Sequence, residues 1–147
     1  MVNRIQRLVR REQCTILEQW IDYIDGGCDV LKVDYQFFKK ELSLDIQVFE
    51  NNNKYTHNIL FQNVASVYFN AGDGDIRLEK IVPEEYNWQI FEISYHPEGI
   101  GNLSNLMITE YQSNANFLID INRRLISVEA EFVSFDSKQF YAYKVNE

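Results

Sequence analysis

The chain has 147 residues, 46% hydrophobic, 14% aromatic and 24% charged, and its 14 basic and 22 acidic side chains leave a formal net charge of −8. A chain of this length can hide about 70% of its extended surface; its wealth of Phe, Tyr, Leu, Ile and Val excludes a disordered polymer. The acidity argues against a duplex nucleic-acid binder, which needs a basic footprint over the phosphates.

No apolar run approaches the roughly 20 residues that span a bilayer. The longest, 119–133, is broken by Asp120, Arg123, Arg124, Glu129 and Glu131. The opening MVNRIQRLVRREQC lacks the continuous apolar stretch of a secretory signal and runs straight into a periodic helix, so it reads as part of the mature fold. The expectation is a cytoplasmic protein with reduced Cys14 and Cys28; one disulfide between them is the alternative on count.

Between Asn3 and Ile24 the apolar residues Ile5, Leu8, Val9, Ile16, Leu17, Trp20, Ile21 and Ile24 recur at three and four, with a break near Glu12 and Gln13. This spacing predicts an amphipathic helix over about 3–25, capped by Asn3 and stopped at Gly26-Gly27. Its apolar stripe needs a sheet, a partner or a second copy of the chain to cover it.

From about 28 to 145 the period becomes two. Val30 to Phe37 alternates, and Leu42, Leu44, Ile46 and Val48 share one face opposite Ser43, Asp45 and Gln47. Glu50 to Lys54 reads as a hairpin turn because Asn accepts left-handed backbone angles. A return strand follows through Tyr55, His57, Ile59 and Phe61, bends near Asn63 and resumes to Phe69. Residues 71–75 form a second turn, Trp88 to Tyr95 a strand, and 96–99 its end. Leu103 to Glu110 reads as one strand. In the last third, Phe117, Ile119 and Ile121 share a face, as do Ile126, Val128, Ala130 and Phe132, before Asp136-Ser137 turns the chain into a strand over 139–145. Repeated hairpin signals favour an antiparallel meander over βαβ units. The expected fold is α+β: one domain over 1–147, its helix packed on a curved antiparallel sheet, as a half-barrel or a sandwich-like meander.

Chemistry is sparse. His57 and His96 are the available imidazole bases; His57 reads as a hydrogen-bonded sheet histidine and His96 as a turn residue. An enzymatic reading needs one of them beside a carboxylate or thiol. There is no CxxC, HxH or HExxH, and the Asp73, Asp75, Glu79, Glu84 series puts Arg77 where a calcium loop wants an oxygen, so no metal or cofactor is expected. The GxG pairs at Gly72/Gly74 and Gly99/Gly101 lack the third glycine of a dinucleotide site. Glu129 and Glu131 fall on one strand face, a spacing that glycoside chemistry uses and that ordinary half-exposed strands also produce. No catalytic residue is assigned.

The charges are segregated. Arg4, Arg7, Arg10 and Arg11 precede the first acid, so positions 12–147 carry a net −12. Acids gather at Asp73, Asp75, Glu79, Glu84 and Glu85, and again at Glu129 and Glu131, with Tyr86 and Trp88 close to the first group. Carboxylates steer association and aromatics supply contact area. These nine residues are therefore the candidate surface for a basic protein partner.

The "ILFQNVASVYF" strand, the "NFLIDINRRLISVEAEFVSFDSKQFYAY" meander and the acidic balance resemble small bacterial proteins of the YxiG-like and polymorphic-toxin immunity type. That resemblance implies a non-enzymatic β-rich domain, with an antitoxin that masks a cognate toxin as one form; it transfers no site residues. The alternative reading is a half-barrel enclosing a small apolar molecule between its concave face and the helix. An enzyme of unknown type comes third.

Overall fold

Three hairpins are made by two-residue loops, and each loop residue has positive φ: Asn51-Asn52 (51° and 64°), Asn122-Arg123 (49° and 69°) and Asp136-Ser137 (48° and 72°). The pairs that close them are Glu50 with Asn53, Ile121 with Arg124, and Phe135 with Lys138. This is the turn whose twist matches that of paired strands, and Asn and Asp lead because their short polar side chains tolerate the left-handed region. The computed structural model describes residues 6–8, 11–25, 27–101, 103–105 and 107–144, with side chains over 16–25, 27–101, 107 and 110–143.

The elements are β1 (Gln6–Leu8), α1 (Arg11–Asp25), β2 (Cys28–Gln36), β3 (Glu41–Glu50), β4 (Asn53–Asn70), β5 (Gln89–Tyr95), β6 (Leu103–Asn105), β7 (Ile108–Ser113), β8 (Phe117–Ile121), β9 (Arg124–Phe135) and β10 (Lys138–Lys144). Six strands close on themselves in the order β9-β4-β3-β2-β5-β8 and back to β9, every pair antiparallel. The expected half-barrel is thus a closed barrel. The period-two pattern gives strands and faces but says nothing of ring closure, which depends on the long-range β4–β9 and β2–β5 pairings.

Closure makes β9 share one edge between two strands. Its first half pairs with β8, ending at Val128 opposite Phe117, and its second half pairs with β10, beginning at Phe132 opposite Tyr141. Asn116 fills the gap. Its side-chain amide donates to the Ala130 carbonyl at 2.8 Å and accepts from the Ala130 N–H at 3.1 Å. Its own backbone N–H donates to Val128 and its carbonyl accepts from His96. The residue is fully buried. β1 then adds to β10 in parallel.

The interior is filled by Leu44, Ile46, Ile59, Phe61, Ile119, Val128, Val133 and Phe135, each 0–1% exposed, among others. Alternation does not run unbroken. Asn63, at φ 48°, lets β4 change faces so that Phe61 and Val64 are both buried, as the expected bend requires. In β9 the face changes between Ala130 and Val133, so Val133 is buried and Phe132 is not, against the simple alternation.

Other expectations shift as well. The helix begins at Arg11, and 6–8 form a strand; the break near Glu12 and Gln13 marks the neighbourhood of this change. The Asn3 cap, Arg4, Arg10 and Val145 lie outside the described residues, as do the side chains of Arg7, Arg11 and Cys14. Residues 103–110 are two strands, Asn105 opposite Ile108, rather than one. Residues 71–75 open a long connection with short 3-10 turns at Gly74–Leu78 and Pro83–Glu85. It is no hairpin, because the neighbours of β4 are β3 and β9, not β5.

The stripe of α1 is covered from within: Leu17, Ile21 and Ile24 are buried, and Trp20 stacks on Phe135 with centroids 5.1 Å apart. Among the described residues no helix is long and apolar enough to cross a membrane. If Asn116 completes the ring, Asn116→Leu leaves the Ala130 N–H and carbonyl unsatisfied in the core and should cost about 2–5 kcal/mol. Urea denaturation measures this, and a change below about 1 kcal/mol contradicts the role.

Candidate functional site

The two ends of the barrel differ. At one, β8 finishes, β9 starts and β4 runs out, while β2 continues past its last pairing with β5. A cavity of about 390 Å³ opens there, lined by Val30, Leu31, Val33, Phe69, Ile81, Trp88, Ile121 and Ile126, with Lys32 and Arg124 as its charged members among the described residues. The register shift between Val30 and Lys32 makes Leu31 the extra residue of a bulge, and Leu31 is 55% exposed.

The turn after β8 positions the aromatic wall. The Asn122 side chain accepts from the Gln89 N–H at 2.9 Å and donates to the Asn87 carbonyl at 3.1 Å, fixing the chain on either side of Trp88. The Trp88 indole N–H donates to the Pro83 carbonyl. Tyr86 stacks on Trp88 at 5.1 Å, and the Arg124 guanidinium lies 5.2 Å from both ring centroids. Arg124 also donates to the Asn122 carbonyl at 2.6 Å, while its buried Nε is without a partner among the described residues. Such a cation–π contact holds a charge beside apolar surface that would otherwise exclude it.

Seven of the nine candidate surface residues belong to this end. Trp88 lines the mouth and Tyr86 backs it. Glu79, Glu84 and Glu85 flank Ile81 and Trp88 in sequence, and Asp73 and Asp75 stand earlier in the same connection; all five acids are exposed. Glu129 and Glu131 do not join them. Glu129 accepts from the Ser66 hydroxyl and the Asn114 N–H, and Glu131 accepts from the Asn63 amide. Their carboxylates tie the outer face of β9 to β4 and to the chain entering β8. The reading by charge missed Leu31, Val33, Phe69 and Arg124; Phe69 and Arg124 stand at strand ends, which the turn signals locate.

At the opposite end, α1 lies across the strands. His57 Nδ1 is 2.5 Å from Asp136 Oδ2, and His57 Nε2 is 2.9 Å from the Tyr23 hydroxyl. A carboxylate only accepts, so Nδ1 carries a proton and donates to Asp136; in the neutral ring Nε2 then accepts from Tyr23. Asp136 is held in turn by the Asn58 N–H at 2.8 Å. His57 therefore has the carboxylate partner that an enzymatic reading demands, whereas His96 bonds to the Ser94 hydroxyl. Trp20, Gln19 and Lys138 join Tyr23 and His57 around an open cavity of about 430 Å³. Burial, with Glu50, Tyr55 and Asp136 nearby, holds the Tyr23 phenol above its ordinary 10.0, which keeps it a neutral donor rather than a phenolate nucleophile. Among the described residues no group of three or more His, Cys, Asp or Glu is placed to hold a metal ion.

A family model described as YxiG-like protein matches residues 17–140. The chain belongs to the YxiG-like family. It is also 68% identical over 130 residues to the uncharacterised protein YxiG of Bacillus subtilis (strain 168), covering 88% of this chain and 94% of that relative. The YxiG-like match runs from α1 into β10, so it takes in the mouth, Asn116 and the Tyr23–His57–Asp136 line. The N-terminal arginines precede it.

Cys28 is a free, buried thiol that burial pushes from 9.0 to about 11. Burial and the hydrogen-bonded Glu129 also raise Tyr143 well above 10.0. Below pH 9 these groups are protonated in both states and their contribution is complete. Between pH 9 and about 11 the unfolded chain releases protons that the folded chain keeps, so stability must fall as pH rises. Thermal melts in reductant should show this decline, and Cys28→Ala should remove part of its slope; equal slopes in both proteins refute the assignment to Cys28.

Proposed function

We propose that this protein is a non-enzymatic binding protein that docks a basic protein at the barrel mouth. The observation that carries this reading is the apolar mouth beside a strongly acidic connection. Carboxylates at Asp73, Asp75, Glu79, Glu84 and Glu85 steer a cationic partner, and Tyr86 and Trp88 offer rigid contact area. Exposed Leu31, Phe69, Leu78 and Val82 extend the apolar surface, at 49–76% exposure. An exposed apolar patch with a polar border is the usual mark of an interaction site.

In its specific form the partner is a basic toxin, and this chain is the immunity protein that masks it in the cytoplasm. A toxin gene directly upstream supports that form, and an isolated metabolic operon counts against it. The reduced Cys28 suits a cytoplasmic location.

A second reading has its own support. The barrel interior is filled with side chains, but the mouth's apolar lining suits a small apolar molecule.

Affinity capture from the native host tests the docking reading. The wild-type chain should retain a basic protein that elutes with rising salt. Glu79→Lys/Glu84→Lys/Glu85→Lys and Trp88→Ala should each weaken retention by about tenfold or more, the effect of losing steering charges or an aromatic anchor. Identical retention by all three proteins sinks the reading. A melting temperature raised by decanol in the wild type and not in Ile126→Trp selects the small-ligand reading instead.

A further inference from the structure

β2 leaves the barrel with one edge bare. Its first two residues pair with β5, Cys28 opposite Ile90 and Asp29 opposite Gln89, and the Val30 N–H reaches the Trp88 carbonyl at 2.7 Å. Beyond Val30, among the described residues, the strand keeps only β3, to which every residue from Lys32 to Gln36 is paired. On its other side no strand lies beside 31–36 among the described residues.

Strand edges left open to water are normally blunted by charge, proline or a bulge, because unpaired backbone groups invite another strand. The Leu31 bulge and Lys32 do this at the start of the bare stretch. The rest carries Val33 and Tyr35, 46% and 45% exposed, and ends at Phe37 and Phe38, 71% and 97% exposed. Val33 and Tyr35 sit opposite Leu44 and Leu42, so they face the barrel side of the sheet. That apolar strip continues the mouth, whose lining includes Leu31 and Val33.

We infer that the partner enters as an extended segment added to β2 along Lys32–Gln36, in the line that β5 vacates, with one apolar side chain in the mouth. This rests on the docking reading above and supplies its mode of binding. Main-chain hydrogen bonds to the bare edge give affinity, and alternate side chains give specificity. Residues 29–41 and 73–85 together carry eight acids against five cations, which selects a segment alternating Lys or Arg with apolar residues. A second copy of this chain fits less well, since each would bring the same acidic connection against the other.

The probe is the acetylated, amidated peptide Lys-Val-Lys-Leu-Lys-Val-Lys, compared with its fully N-methylated form. Methylation keeps charge and side chains and removes every backbone donor. Expected are saturable binding of the parent peptide, affinity weaker by about tenfold or more for the methylated one, and slowed amide exchange within 31–36 on parent binding. Equal affinity of the two peptides overturns strand addition; if the triple Glu→Lys variant then weakens both, docking at the mouth stands without it. Slow exchange across 31–36 in the free protein overturns it too, because the edge is then already covered. Failure of the parent peptide to bind also overturns strand addition, while the capture experiment judges docking separately. A doubled mass in sedimentation that Val33→Lys abolishes assigns the edge to a second copy and overturns the inference.

Discussion

The ring closes along β9, and one side-chain amide fills the seam where β9 passes from one neighbour to the next. β9 must serve β8 with its first half and β10 with its second, and two strands cannot abut on one edge without leaving a backbone group between them unpaired. Asn116 supplies the missing peptide: a neutral donor and acceptor on a short stem, both bonded to Ala130. Because such groups are costly when buried unmet, an apolar residue there would undo the seam, and a charged one would need a counter-charge that no described core residue supplies. β10 takes the half of that edge that β8 leaves and carries β1 beside it in parallel, and the strands of the barrel end at staggered levels.

That stagger gives the protein two unlike ends. One is plugged by α1, where aromatic stacking of Trp20 on Phe135 and the Tyr23–His57–Asp136 line bind helix, β4 and the β9–β10 turn into one unit. The other is left open because β2 and β4 outrun their neighbours, and its wall is built from a polar turn: Asn122 grips the backbone around Trp88 so that indole, phenol and guanidinium can pack together. Rigid hydrogen bonding thus sits at both ends, but only at the mouth does it hold apolar surface toward water.

Much of this was legible in the residues, for identifiable reasons. The Leu42–Val48 alternation, the Asn51-Asn52 and Asp136-Ser137 turns and the bend at Asn63 are local events, set by side-chain period and tolerance of positive φ, and the structure has them where the pattern puts them. Ring closure was not legible, since it depends on β4 meeting β9 some 65 residues on, as Val64 meets Ala130. The start of the helix was misjudged because Leu8 fits a helical period yet pairs along β10. At the mouth, Tyr86, Trp88 and the acids stood out by composition. The lining from β2 and β4 did not, because an alternating strand does not announce where its neighbour stops. Glu129 and Glu131 show the converse: two carboxylates conspicuous in sequence are occupied by hydrogen bonds within the molecule.

The parallel pairing of β1 with β10 has a consequence for biogenesis. The first described strand finds its neighbour in the last, with α1 and eight other described strands between them in the chain. Contacts of such separation are closed late and slowly. During synthesis the hairpins of β2, β3 and β4 can form as they emerge, but the ring has no closing strand until β9 has left the ribosome. Until then the faces of β3 and β4 destined for the interior are open to any passing chain. A fold whose first described strand lies beside its last is therefore most vulnerable just before the ring closes, and its yield in the cell should depend on how quickly β8, β9 and β10 are delivered.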